Sequence, residues 1–274
     1  MNPFRCPICK KPLSREEHRF FCENSHSFDV SAEGYVHLLP PNKMNSKIPG
    51  DSKEMAASRS AFLNKGYYEP LAKALFESFT EKFGKEPFSV LDCGCGEGYY
   101  TDYLYSSLKN AGYPVTVAGV DISRPSVKRA AKRNKEISFA VASVFDLPAE
   151  DEAWDAVLNI FSPLCRSEYA RVLKPGGLYY YVVPAKRHLW QMKEILYDVP
   201  YENKEEDIPY EGFEHRETIP VRYEVTLSEK ADIASLFQMT PYYWKTSAKG
   251  AEKLFILDSL TTEVAFDIHI YEKI

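Results

Sequence analysis

The stretch Val90-Leu91-Asp92-Cys93-Gly94-Cys95-Gly96-Glu97-Gly98-Tyr99-Tyr100-Thr101 is an apolar strand that runs into glycines at every second position and then into helix-forming sequence. Without a Cβ, glycine lets the backbone bend sharply and lets a ligand touch the main chain. The loop is therefore expected to hold a nucleotide-like ligand across the turn, with main-chain amides around Gly96 facing it. Taken alone, the three glycines also fit an ordinary tight turn. Further on, Gly119-Val120-Asp121 ends a second strand on a carboxylate. That is the sheet edge where open α/β folds bind ligands, and Asp121 there is placed to accept both ribose hydroxyls. The competing role for Asp121 is that of an N-terminal acid on the helix that starts at Ser123.

Outward from this loop, short β-branched runs alternate with amphipathic segments. Residues 89–92, 115–120, 137–141, 154–160 and 178–183 read as strands with helices between most of them, which implies an α/β fold with a parallel sheet covered on both faces. The tail differs: Val264, Phe266, Ile268 and Ile270 alternate as in a half-buried antiparallel strand, with residues 221–227 as a partner. Upstream, residues 52–83 carry a helical period broken near Gly66. The expected organisation is a module over 1–40, a linker with N-terminal helices over 41–86, and a catalytic domain over 87–274. The connector contains Pro40, Pro41, Asn42, Asn45, Pro49 and Gly50, all turn formers.

Residues 1–40 lack any long helical period and hold Cys6, Cys9, Cys22 and His26 in a C-x2-C-x12-C-x3-H array. Two close ligand pairs a dozen residues apart can fold into a knuckle and hairpin presenting a tetrahedron of thiolate and imidazole donors, which suits Zn²⁺. Four protein ligands leave no open coordination position, so such a metal is structural. His18 and His37 are nearby competitors for the fourth position, and Arg5, Lys10, Lys11, Arg15 and Arg19 make the module basic.

Composition narrows the class. The 274 residues are 45% hydrophobic and 27% charged, which excludes a disordered, collagen-like or coiled-coil chain. No apolar run approaches the roughly 20 residues of a membrane span, and the start lacks a secretory signal, so no membrane partner and a cytoplasmic location are expected. The net charge of −5 argues against coating nucleic acid over the whole surface. Charge is uneven, however. Arg124, Lys128, Arg129, Lys132, Arg133 and Lys135 form a basic run, whereas Glu202, Glu205, Glu206, Asp207, Glu211, Glu214 and Glu217 form an acidic one.

The ordered set Asp92, Gly94, Gly96, Gly98, then Asp121, then Ala142-Ser143-Val144-Phe145-Asp146-Leu147-Pro148, then Leu173-Lys174-Pro175-Gly176-Gly177 resembles the class I S-adenosylmethionine-dependent methyltransferases. That resemblance implies a Rossmann-like, mostly parallel seven-stranded sheet, with Ser143 and Val144 flanking the adenine. A dinucleotide dehydrogenase uses the same geometry, but with Gly-x-Gly-x-x-Gly and an acid about 20 residues further on. The even glycine spacing and the more distant Asp121 favour a sulfonium cofactor.

Over nearly its whole length the chain is similar to the large-subunit ribosomal RNA (guanine-N1)-methyltransferases, a group that includes macrolide-resistance enzymes. The likeness rests on the Cys/His array and on Gly34-Tyr35-Val36-His37-Leu38-Leu39-Pro40. It continues through Pro49-Gly50-Asp51-Ser52-Lys53-Glu54-Met55, Phe62-Leu63-Asn64-Lys65-Gly66-Tyr67-Tyr68, the glycine loop, Arg187-His188-Leu189 and Leu236-Phe237-Gln238-Met239-Thr240-Pro241. It implies zinc on Cys6, Cys9, Cys22 and His26, and cofactor contacts from Tyr68, Gly96, Glu97 and His188. It also implies an RNA-recognition role for the module, 23S rRNA or a large-subunit precursor as substrate, and a homodimer. Asn159-Ile160-Phe161-Ser162-Pro163 takes the place of the Asn-Pro-Pro-Tyr segment of exocyclic-amine enzymes. Its departure from that pattern fits a ring nitrogen, with Asn159 and Ser162 orienting the base and His188 as a candidate proton acceptor. Two other readings stay open: a small-molecule methyltransferase with an accessory zinc module, and a non-catalytic zinc-tethered RNA-binding adaptor.

Overall fold

The computed structural model describes residues 3–41, 50–204 and 211–274. Asn42, Asn45 and Pro49 of the connector and Glu205, Glu206 and Asp207 of the acidic run lie outside the described residues. Three short strands, β1 (Ser14–Arg15), β2 (Arg19–Phe21) and β3 (Ser27–Asp29), form an antiparallel sheet within the Cys/His module. β4 (Val36–His37) follows, then the helices α1 (Lys53–Leu63) and α2 (Glu69–Lys82). The alternating region is β5 (Phe88–Cys93), α3 (Tyr99–Asn110), β6 (Val115–Asp121), α4 (Arg124–Arg133), β7 (Ser138–Val141), β8 (Trp154–Ile160), α5 (Arg166–Val172), β9 (Leu173–Pro184) and α6 (Trp190–Leu196). The chain ends with β10 (Phe213–Leu227), α7 (Lys230–Gln238), α8 (Tyr242–Lys245), α9 (Ala248–Phe255) and β11 (Leu260–Lys273).

These strands build one sheet of order β10-β11-β9-β8-β5-β6-β7-β4. β5, β6, β7 and β8 are mutually parallel, β9 runs parallel to β8, and β11 is antiparallel to both β9 and β10. Seven of the strands are the methyltransferase-like set. The eighth, β4, was not expected: Val36 and His37 pair in parallel with Ala140 and Val141, and Leu38 N–H donates to the Val141 carbonyl at 2.9 Å.

Alternation along the central strands divides the core. Val90, Leu158 and Tyr180 face one layer with Phe62, Leu71 and Phe79 of α1 and α2. Leu91, Val157 and Tyr179 face the other, where Tyr169 and Val172 of α5 meet Phe4, Cys6, Leu13, Phe20 and Cys22 of the module. The module thus closes its small core against the sheet, as expected of a segment too short to bury enough apolar surface alone.

Between β5 and α3 the chain turns through Gly94, Gly96 and Gly98 at φ of +93°, +55° and +85°. A Cβ on Gly98 would lie 2.8 Å from Ala130 Cβ and 2.9 Å from Ala130 Cα. Replacing Gly98 by Ala combines left-handed strain with overpacking against α4. Its stability in urea should fall by about 2–4 kcal/mol; an unchanged midpoint would contradict the close packing of α3 on α4.

Candidate functional site

Where β5, β6 and β8 end, the segments singled out by sequence converge on one cleft of about 640 Å³, within the usual range for a small-ligand site. Asp51 and Met55 come from the connector and α1, Tyr68 from the start of α2, and Asp92, Gly94, Gly96 and Glu97 from the glycine loop. Asp121, Ser162 and His188 complete the wall with Met239, Thr240 and Pro241.

The glycine loop supplies room and engages four of its own amides. Gly94 and Cys95 N–H both donate to the Val120 carbonyl, at 2.8 and 3.0 Å, and Gly98 N–H donates to the Cys95 carbonyl at 3.0 Å. Gly96 N–H donates to Asp121 Oδ2 at 2.9 Å. These four amides are engaged, which leaves the cradle expected around Gly96 to the remaining amides of the loop and the first turn of α3, those of Glu97, Tyr99 and Tyr100. Gly94 instead makes space, since a Cβ there would fall 2.0 Å from Ser162 Oγ.

Asp121 takes the helix-terminal role considered for it. Its Oδ1 accepts Ser123 N–H at 2.7 Å at the start of α4, and its Oδ2 ties that helix to the loop. Each oxygen keeps a second lone pair for a ligand hydroxyl. Desolvation by the surrounding walls raises its carboxyl above the ordinary value.

Asp92 is buried, with Oδ2 accepting from Thr101 Oγ1 at 2.6 Å and Oδ1 without a protein partner. Burial, opposed by the Thr101 bond and reinforced by Asp121, pushes its carboxyl up to about 7. Glu97 is also buried. Its Oε2 accepts from Ser60 Oγ at 2.7 Å and is paired with Arg133, while Oε1 has no protein partner. The Tyr100 hydroxyl and Ser162 Oγ are buried on the same wall and equally unpartnered.

His188 is buried, its ring against Phe266 at 4.6 Å and Tyr68 at 6.1 Å. Its Nδ1 accepts Ala265 N–H at 3.3 Å, which leaves the proton on Nε2. Burial, with Lys193 and Arg222 adding repulsion, pushes the imidazole down to about 3. A neutral donor at physiological pH results, so the expectation that His188 could accept a proton is corrected.

The remaining candidates point elsewhere. Asn159 is fully buried and its Nδ2 donates to Tyr169 Oη at 2.7 Å and the Pro163 carbonyl at 3.1 Å, shaping its own loop and not the cleft wall. Gly98 caps α3 behind the wall, and Val144 packs into the core on the module side of the sheet. Ser143 Oγ accepts Phe145 N–H at 3.2 Å in the loop after β7; neither Ser143 nor Val144 lines the cleft. Residues that single-chain reading passed over do line it. Arg59 binds Asp51 Oδ2 at 3.0 Å and the Met239 carbonyl at 3.4 Å, and Ile122 follows Asp121 on the wall. Asp51 and Met239 stood in the matched segments, but nothing in their spacing tied one to the other.

In the module, the ligand atoms of Cys6, Cys9, Cys22 and His26 lie within 4.8 Å of one another. Cys9 Sγ is 3.6 Å from Cys22 Sγ, and His26 Nδ1 is 3.6 Å from Cys6 Sγ and 3.5 Å from Cys22 Sγ. A tetrahedral zinc with bonds of about 2.3 Å to sulfur and about 2.0–2.1 Å to nitrogen has ligand–ligand edges of about 3.5–3.8 Å, so the donor set fits. Burial pushes the Cys6 thiol up, whereas the Lys11 N–H pulls the Cys9 thiol down to about 6.

A zinc-ribbon family model described as "RlmA, N-terminal" matches residues 4–47, and one described as "Methyltransferase domain" matches residues 90–177. The Bacillus subtilis (strain 168) protein YxjB, provisionally named a 23S rRNA (guanine-N(1)-)-methyltransferase, is 33% identical over 97% of this chain and 96% of its own. The Streptomyces fradiae 23S rRNA (guanine(748)-N(1))-methyltransferase is 36% identical over 70% of this chain and 67% of its own. Among solved structures, Bacillus subtilis YcgJ is 14% identical, with a TM-score of 0.47 over 74% of this chain and 97% of that one.

Two outcomes follow from the site. The folded chain keeps a proton on Asp92 that the unfolded chain has lost between pH of about 4 and about 7, so its stability without ligand should fall as pH rises through that window and level off above it. Asp92→Asn should flatten that slope and be more stable than the parent at pH 8 by about 1–3 kcal/mol; equal slopes in urea titrations would contradict the assignment. Because Cys6 and Cys22 belong to the core shared with the sheet, chelation should lower the thermal midpoint of the whole chain, by about 2–4 °C per kcal/mol of metal binding lost. A separate low-temperature step with the main transition unmoved would contradict that coupling.

Proposed function

We propose, for a chain that belongs to the family of 23S rRNA (guanine-N1)-methyltransferases, that it transfers a methyl group from S-adenosylmethionine to N1 of a specific guanine in 23S rRNA. The observation that carries this reading is a pair of buried, unpartnered carboxylate oxygens on the wall of the cleft. Asp92 Oδ1 and Glu97 Oε1 are buried acceptors without protein partners, and the ammonium of a cationic ligand supplies the hydrogen-bond donors they lack. A pyrophosphate would set its charge against Asp92, Glu97 and Asp121 on the same wall.

Bound there, S-adenosylmethionine supplies an electrophilic methyl carbon on sulfur. The chain's own residues orient and enclose. Asp121 receives the ribose hydroxyls, Asp92 and Glu97 receive the cationic end, and Tyr68 and Phe266 give an apolar wall. His188 presents Nε2–H as a fixed neutral donor. The Tyr100 and Ser162 hydroxyls, buried and unpartnered, are placed to bond the cofactor or the base edge. As guanine N1 attacks, the bond from sulfur to the methyl carbon breaks to leave a neutral thioether, and the N1 proton passes out to solvent. Rate gain then comes mainly from holding nitrogen, carbon and sulfur in line in a dry cleft.

Methyl-labelled cofactor and unmethylated 23S rRNA transcript are expected to give labelled RNA with one reverse-transcription stop at a guanine, because an N1 methyl blocks the pairing edge. Label without a stop, or label only on small molecules, would overturn the reading. Asp121→Ala is expected to weaken cofactor binding by about 1–3 kcal/mol in calorimetry, and unchanged affinity would remove Asp121 from the site.

A further inference from the structure

The mouth of the cleft is finished on one side by an aromatic rim that packing does not require. α8 buries Tyr242 but leaves Trp244 71% exposed. The Tyr243 and Trp244 rings meet in a T-shaped contact at 5.0 Å, which limits the indole's freedom. Tyr201, 46% exposed, stands on the same mouth. The ammonium of Lys193, itself fully buried, fixes that segment by donating to the Tyr201 carbonyl at 3.0 Å and to Asn203 Oδ1 at 2.8 Å. On the wall of the same cleft, Phe161 holds φ of +55° and remains 39% exposed. A non-glycine residue is strained in that conformation, and the surrounding packing maintains it with the ring in the cleft.

Charge adds to the same rim, although Arg129 and Lys132 on α4 are likewise outside any ion pair among the described residues. Among the described residues Lys245, on the mouth, and Lys249, in the first turn of α9, take part in no ion pair, whereas Lys253 is paired with Asp198 at 3.1 Å. The basic residues of the metal module are mostly balanced locally. Arg5 pairs with Asp151, Lys10 with Asp146, Lys11 with Glu23 and Arg19 with Glu16. Part of the basic run on α4 is balanced too, Lys128 by Glu33 and Arg133 by Glu97.

Exposed aromatic rings beside unpaired lysines, continuous with a reaction cleft, are what single-stranded nucleic acid uses: bases stack and phosphates meet the cations. We propose that Tyr201, Trp244, Lys245 and Lys249 form the docking rim for unpaired nucleotides next to the target guanine, so that RNA enters over α8 and α9. This rests on the RNA reading above and specifies which face of the chain serves it.

The test measures binding of the full-length, zinc-loaded protein to unmethylated 23S rRNA transcript, alongside cofactor affinity by calorimetry. Trp244→Ala should weaken RNA binding about 5- to 150-fold with cofactor affinity unchanged, and Trp244→Phe should recover part of the loss. Lys245→Ala with Lys249→Ala should reduce the slope of log affinity against log salt by about 0.7 for each phosphate contact removed. If parent and Trp244→Ala bind and methylate RNA equally, or if the loss appears instead in Arg129→Ala with Lys132→Ala on α4, the rim assignment is overturned while the methyltransferase reading stands. A parent protein that binds cofactor but neither binds nor methylates the transcript overturns both.

Discussion

The passage of the backbone from β5 into α3 constrains the rest of the site. Between Cys93 and Tyr99 the chain reverses through three left-handed glycines, with Ser162 packed onto Gly94 and Ala130 onto Gly98 at distances no side chain could share. The turn uses its own amides to hold this shape, two of them on Val120 and one on Asp121. What the ligand meets is consequently a floor of Cα atoms edged by carboxylates. Asp92, Glu97 and Asp121 on that edge favour a cation over a phosphate. Asp121 is the pivot, because one carboxylate joins the loop to α4 and still has lone pairs to offer.

The second structural dependence is between the metal module and the sheet. Phe4, Leu13 and Phe20 share a core with Leu91, Ala140 and Leu147, and two of the four metal ligands, Cys6 and Cys22, are in it. β4 extends the sheet edge beyond β7, while Glu33 and Tyr35 hold Lys128 and Arg124 of α4 at 2.9 and 3.0 Å. α4 in turn carries Arg133, the partner of Glu97 in the cleft. Metal, sheet edge, helix and cofactor wall are thus joined through contacts that all lie within the folded chain.

Features carried by short-range chemistry were legible in the sequence. The glycine spacing announced the turn, the Cys/His spacing announced the tetrad, and the alternation at Val264, Phe266, Ile268 and Ile270 announced β11 and its antiparallel place. A two-residue strand such as β4 has no period to detect, so its union with β7 was not. Asn159 and Val144 show a different limit. Each sits one step from a functional segment, but which face a side chain takes depends on a partner remote in sequence, Tyr169 for the first and the module core for the second. The cost of burying His188 is likewise set by Phe266, Tyr68 and Ala265, distributed over almost two hundred residues. Trp244 gave no pattern at all, since a lone exposed indole is distinguishable from a core one only when the fold places it.

The claim on which the account stands is that the glycine-loop cleft takes S-adenosylmethionine. Calorimetric titration of the purified, zinc-loaded chain with that donor tests it most directly. The account predicts a saturable, one-site heat that Gly94→Ala abolishes by forcing Ser162 out of its place against the loop. No heat with the donor raised to millimolar concentration, or a heat that Gly94→Ala leaves unchanged, would contradict it.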